Sequence, residues 1–368
     1  MAITTPLRID LPPAYCPIPA EINDNFEECK RRGLSWMGEH GFCPDDAARL
    51  RVADTDSAEW CAQAMPHAGP ERLQVATDWT YLMFVFDDLF CDTGESSTNT
   101  NAFVEAAARI MHLFEAPDGA TMDAANPFTA PIRDLALRVR RCATPAQVRR
   151  WIEAHRTWLL GVAWQIAAQS SGTRLSLNDY TVMRLGTCGG LPCAAMVEEE
   201  EVPASELNGP KVRALTEAAC LTAGWDNDLA SYGKELWYAQ QTSDARQGIA
   251  TNLVDVLIDL HGYTRDQALQ EATRMRDHTT HLFVRLREQV LPTASAPLRH
   301  YVNALGTSMR ATVDVGVTTA RYTNPDGAHP GAVHITSSLT DRPPVGAADP
   351  LPIPAIAWWW DLLDRGTV

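Results

Sequence analysis

The stretch WDNDLASYGKE, residues 225–235, sets an amide at Asn227, a hydroxyl at Ser231 and a carboxylate at Glu235, each four positions after the last. An α-helix advances about 100° per residue, so positions four apart drift by only about 40° and stand one above another on one side. A solvated face more commonly mixes Glu with Lys, and an apolar face does not carry Asn and Ser unaided, because buried polar groups need hydrogen bonds or ligands. Oxygen donors of mixed charge, with neither His nor Cys among them, suit a hard cation such as Mg²⁺ better than zinc. Taken alone, the stretch also fits an ordinary polar helix face, so a second site is what separates the two readings.

That second site is FVFDDLFCDTGE, residues 84–95, where Asp87, Asp88 and Asp92 close an apolar helix that begins near Pro70, with Gly94 as its stop. Asp88 and Asp92 are one helical turn apart. Three carboxylates so close repel one another, and a helix C-terminus itself favours positive charge, so the cluster calls for cations. An acidic helix end facing water is the competing reading. Met83, Phe84 and Phe86 just before it mark instead a core helix whose end opens inward.

Asp87-Asp88-x-x-x-Asp92 and Asn227-Asp228-x-x-Ser231-x-x-Lys234-Glu235, some 140 residues apart, together resemble the two metal motifs of class I terpene synthases in their bacterial single-domain form. The resemblance covers the chain up to Arg321-Tyr322. It implies an all-α helical bundle around a central apolar cavity. There a linear prenyl diphosphate, farnesyl diphosphate by chain size with the ten- and twenty-carbon analogues open, loses diphosphate in the presence of three Mg²⁺ ions and is cyclised to a sesquiterpene or a relative. The implied metal residues are Asp87, Asp88, Asp92, Asn227, Ser231 and Glu235, and the implied diphosphate-binding residues are Arg184, Lys234, Arg321 and Tyr322. In YTVMRLGTCGGLP, residues 180–192, the resemblance makes Arg184 the diphosphate sensor, Thr187 the link to a helix break and Cys188 the donor of a backbone carbonyl to the nascent cation. The residues support the break unaided, since Gly186, Gly189, Gly190 and Pro192 interrupt a helix. Phe84, one turn before Asp87, is the leading cation-facing ring, with Trp60, Tyr81, Phe86 and Trp225 as further candidates. A homodimer is the family's habit.

Two positions depart from the pattern. Thr93 stands where many members carry Glu, with Glu95 two residues later, and Val315 stands where relatives often carry Trp six residues before the Arg-Tyr pair. Chain-elongating prenyltransferases, which share the architecture, carry Asp-rich motifs on both walls, and the Asn-Ser-Glu set argues against them. A non-catalytic isoprenoid-binding helical protein is the reading from another class.

The rest of the chain agrees with this outline. Its 368 residues are 45% hydrophobic and 21% charged, enough for a large core. A formal net charge of −15 argues against nucleic acid and anionic membrane surfaces as partners. Nine cysteines without a C-x-x-C pair read as free thiols of a reducing cytoplasm, and no apolar run approaches the ~20 residues of a membrane span. Residues 1–20 read as an extended Pro-rich arm and 21–324 as the helical catalytic domain. Residues 325–368 form a Pro/Gly-rich extension whose end, with Trp358, Trp359 and Trp360, is apolar enough to dock. The run EEEE in residues 196–202 reads as a solvated face near a loop.

Overall fold

The computed structural model describes residues 6–92, 98–119, 126–241 and 251–363, apart from the side chains of residues 91 and 92. Thr93, Gly94 and Glu95 therefore lie outside the described residues, as does the side chain of Asp92. The described chain is a bundle of α-helices, and its helix ends carry the chemistry that such ends need. Thr144 and Thr264 close capping boxes, Ser176 and Ser295 accept the N–H three residues on, and Gly172 and Gly262 end helices in the left-handed conformation at φ 65°.

The helix Pro210–Gln241, which contains the opening stretch, packs on Arg265–Val290 and on Ala296–Thr318. Its neighbours on the other side are Leu177–Thr187 and the short Gly190–Met196. Leu177–Thr187 crosses Pro145–Ser171 closely because both helices present glycine there. A β-carbon on Gly161 would stand 2.9 Å from the Gly186 Cα. Between Leu177–Thr187 and Gly190–Met196 the chain turns at Gly189, φ 68°, a conformation that a β-carbon disfavours. The apolar helix Pro70–Phe86 does not stop at the acidic cluster. Asp87–Asp92 continues it as a π-helix, so the spacing between Asp88 and Asp92 is not that of an α-helical turn.

The two chain ends meet. Leu7–Asp10 pairs in parallel with Val333–Thr336, and Ala14–Tyr15 with Leu339–Thr340. Ile9 and Val333 are buried against Pro210–Gln241 at Gly233, where a β-carbon would lie 2.5 Å from Val333 Cγ1 and 3.0 Å from Ile9 Cγ1. The apolar end docks as the helix Pro354–Asp361. Trp359 is fully buried and donates its indole N–H to Glu217 at 3.1 Å, while the Ala355 N–H donates to Asn178 at 2.8 Å. One expectation fails at Glu198, which is buried rather than solvated. Its carboxylate pairs with Arg150 and accepts the Val202 N–H at 2.9 Å, so it works as an internal cap where a run of four acids suggested only a wet surface.

The Gly233 contact makes a prediction. A helical Gly→Ala change ordinarily gains up to about 1 kcal/mol, but overpacking costs about 1–3 kcal/mol. Gly233→Ala is expected to lose a net ~1–2 kcal/mol in urea unfolding, and Val333→Ala in the same chain is expected to restore part of that loss.

Candidate active site

One cavity of about 220 Å³ lies among Pro70–Phe86, the broken helix around Cys188, Pro210–Gln241 and Ala296–Thr318. Phe84 and Asp87 line it from the first wall, Arg184, Thr187 and Cys188 from the second, Asn227 from the third, and Arg321 and Tyr322 from the turn that follows the fourth. Residues from both acidic motifs, more than a hundred positions apart in the chain, thus share one space.

The second wall is held by a buried charge pair. Arg184 Nη2 lies 2.7 Å from Asp228 Oδ1, and the same nitrogen donates to Asn227 Oδ1 at 2.7 Å and to the Gly224 carbonyl at 3.0 Å. Burial disfavours the Arg184 charge, yet the Asp228 carboxylate outweighs it and keeps the guanidinium firmly protonated. Asp228 in turn accepts from the Tyr180 hydroxyl and, at 2.9 Å, from the Leu253 N–H. Asn227 donates to the Tyr322 hydroxyl at 2.5 Å. Arg184, Asn227 and Tyr322 therefore form one connected rim.

Ser231 and Glu235 follow Asn227 along the helix. Ser231 donates to Glu235 Oε1 at 2.6 Å, and Asn252 donates to both carboxylate oxygens at 3.2 Å. Burial raises the Glu235 carboxyl to about 8, against the lowering by Ser231 and with a further raise from Asp228. A carboxylate sheltered from water whose hydrogen-bond partners are neutral, stacked with a hydroxyl and an amide, has the donor chemistry of a hard divalent cation. Among the described residues no three His, Cys, Asp or Glu side chains converge as a metal cluster. A set of one carboxylate, one amide and one hydroxyl matches instead an ion that keeps substrate or water oxygens.

On the opposite wall Asp88 forms a forked pair with Arg321, at 2.6 and 2.9 Å, and the Arg321 guanidinium lies 4.7 Å from the centre of the Phe84 ring. Burial alone would raise the Asp88 carboxyl, but attraction from Arg321 and from Lys234 holds it below its ordinary value. Lys234, on the motif helix, thus acts electrostatically on the other motif, and Asp87 acts on Arg321 and Tyr322. The two clusters face each other. Asp88 itself is engaged with Arg321 and is absent from the cavity lining, whereas Asp87 is part of it.

Of the candidate rings, Phe84 and Trp60 line the cavity, while Tyr81, Phe86 and Trp225 are fully buried in packing away from it. Val315, the position without an aromatic ring, lines it too, next to Gly316. Sequence reasoning missed Trp79, Trp158 and Thr312, because nothing in local spacing tells a core-facing ring from a cavity-facing one. The thiols of Cys193 and Cys220 were also missed. Cys188 caps the helix before the break, and the Thr187 carbonyl accepts the Trp158 indole N–H at 3.2 Å.

Residues 78–281 match the family model described as Terpene synthase family 2, C-terminal metal binding. The chain is 42% identical over 359 residues to phomopsene synthase of Allokutzneria albata, covering 97% of this chain and 98% of that one. The chain belongs to the terpene synthase family. This terpene synthase is also 33% identical over 367 residues to diterpene cyclase DtcycA of a Streptomyces species, with 98% of each chain covered. Among solved structures, the SVS_A2 protein from ancestral sequence reconstruction superposes with a TM-score of 0.80 at 35% identity, covering 96% of this chain and 99% of that one. Family membership makes the chain a lyase acting on prenyl diphosphates and implies a divalent metal. Among the described residues no helix is long and apolar enough to cross a membrane.

The two arginines differ in what their loss exposes. Arg184→Met leaves Asp228 buried without its cation and is expected to cost ~3–5 kcal/mol in urea unfolding. Asp88 has a side chain 42% exposed, so Arg321→Met is expected to cost only ~0–1 kcal/mol.

Proposed function

We propose that this terpene synthase is a Mg²⁺-dependent cyclase that ionises geranylgeranyl diphosphate, with farnesyl diphosphate as the second reading. The observation that carries the chemistry is that Asp87 and Asn227, one residue from each motif, line one apolar cavity together with Arg184, Arg321 and Tyr322, while Ser231, Lys234 and Glu235 follow Asn227 along its helix outside the lining. Two observations favour the twenty-carbon chain over the fifteen-carbon one that chain size suggested. A relative named as a diterpene cyclase matches along the whole length, and the wall at Val315 and Gly316 is built of small side chains.

Asn227, Ser231 and Glu235 on one wall and Asp87 on the other would hold the metal, which when bound stabilises charge developing on the leaving diphosphate oxygens. Arg184, Lys234, Arg321 and Tyr322 donate to those oxygens, the arginines through planar forks and Lys234 as a point charge. Arg321 is already poised. Its present partner Asp88 is half-exposed, so exchanging that carboxylate for a diphosphate costs little burial.

The remaining walls suit a carbocation. Trp60, Trp79 and Trp158 have their indole N–H groups engaged, donating to Thr312 at 3.0 Å, His155 at 2.8 Å and the Thr187 carbonyl at 3.2 Å. They therefore offer ring faces, each worth about 0.5–2 kcal/mol to a desolvated cation. Burial raises the thiols of Cys188, Cys193 and Cys220, keeping them protonated and so poor nucleophiles toward that cation.

Incubation with Mg²⁺ and the ten-, fifteen- and twenty-carbon diphosphates in turn, with products identified by gas chromatography and mass spectrometry, tests the reading. A cyclic diterpene is expected from the twenty-carbon substrate, and chelation should stop its formation. A protein that releases no diphosphate from any of the three is not a synthase. Asn227→Leu is expected to lower turnover by about 10²-fold or more with the melting temperature kept. Asp87→Asn should be at least ~10-fold more damaging than Asp88→Asn, since only Asp87 reaches the cavity.

A further inference from the structure

The opening stretch contains two acids, Asp226 and Asp228, that flank Asn227 and are turned away from the metal stripe. Asp228 is held by Arg184, as described. Asp226 has a different partner. Arg276, on Arg265–Val290, is fully buried and grips it through a fork, Nε to Oδ1 at 2.6 Å and Nη2 to Oδ2 at 3.2 Å. None of Asp226, Arg276 and Asp277 lines the cavity, and the chemistry makes no use of them.

The same guanidinium reaches the N-terminal arm. Arg276 Nη1 donates to Asp277 at 2.9 Å and to the Tyr15 carbonyl, and the Tyr15 N–H donates to Asp277 at 2.9 Å. Two buried carboxylates share one buried cation, an arrangement that hydrophobic residues of similar volume would match or better for stability alone. Geometry supplies a purpose. Successive residues point about 100° apart around a helix, so Asn227 lies on the arc between Asp226 and Asp228. With Arg276 forked to Asp226 on one side and Arg184 paired with Asp228 on the other, the helix is held against rotation about its own axis on both sides of Asn227, as one contact could not hold it.

We propose that Asp226, held by Arg276, is a positioning residue that sets the rotation of the motif helix so that Asn227 faces the diphosphate and its metal. The proposal rests on the reading of the motif as the metal site. Ligand groups must be held within a fraction of an ångström, and a displacement near 1 Å costs about 10²-fold. A modest loss of rotation control is therefore measurable.

Calorimetric titration of inorganic diphosphate, in excess Mg²⁺, into the full-length chain and its variants tests it. Asp226→Asn removes one of two carboxylates competing for one cation, so the ligand-free melting temperature should hold or rise, whereas diphosphate affinity should fall about tenfold. Asp277→Asn loosens the arm but leaves the Asp226 fork, and should bind within about twofold of wild type. If Asp226→Asn does not melt cooperatively, Arg276→Lys, which keeps the charge and loses the fork, is read against the same thresholds. Affinity within twofold of wild type in the variant read, or equal weakening in Asp277→Asn, overturns the positioning role alone. Wild-type protein that binds no diphosphate with Mg²⁺ overturns the proposed function and this role with it.

Discussion

The site depends on the burial of one charge pair, Arg184 with Asp228. In a medium that solvates poorly, a guanidinium and a carboxylate 2.7 Å apart cannot separate without a large loss, so the helices that carry them are locked in register. Because the same guanidinium nitrogen also touches Asn227 and the Gly224 carbonyl, that register fixes the amide and the turn of helix beneath it. Gly224 lets the arginine approach, since a β-carbon there would lie 3.3 Å from the Arg184 side chain and 3.1 Å from that of Cys188. Arg184 and Asn227 are thus one rigid unit before any substrate arrives, which is the preorganisation that the proposed electrostatic catalysis requires.

The opposite wall is built differently. Arg321 sits on Phe84 and is forked to a carboxylate that water still reaches, so its attachment is strong in geometry and modest in free energy. A firm wall facing a releasable one gives the cavity a side that holds its shape and a side that can change partner.

The bundle, and the stacking of Asn227, Ser231 and Glu235 along one helix, were legible in the sequence because both rest on local regularities: four-residue spacing, apolar helices, and Gly or Pro at their ends. The break after Thr187 was legible too, since clustered glycines cannot continue a helix unstrained, whereas Arg184 was singled out only by the resemblance. What could not be read was direction across space. Trp79 and Trp158 are ordinary core tryptophans by spacing, and only the packed structure brings them to the cavity wall. Glu198 was misread because a row of acids carries no trace of the Arg150 that awaits one of them 48 residues earlier. Likewise, nothing in the local spacing of residues 87–92 marks the π turn that begins at Asp87.

The parallel pairing of Leu7–Asp10 with Val333–Thr336 has a temporal side. A ribosome delivers the first strand hundreds of residues before its mate, so during synthesis the arm waits unpaired while the helices form, and the seat at Gly233 fills only after Val333 has been made. Closing the ring then follows the synthesis of the helical body, and a nascent chain cut short anywhere in that body lacks the strand that fastens its own beginning.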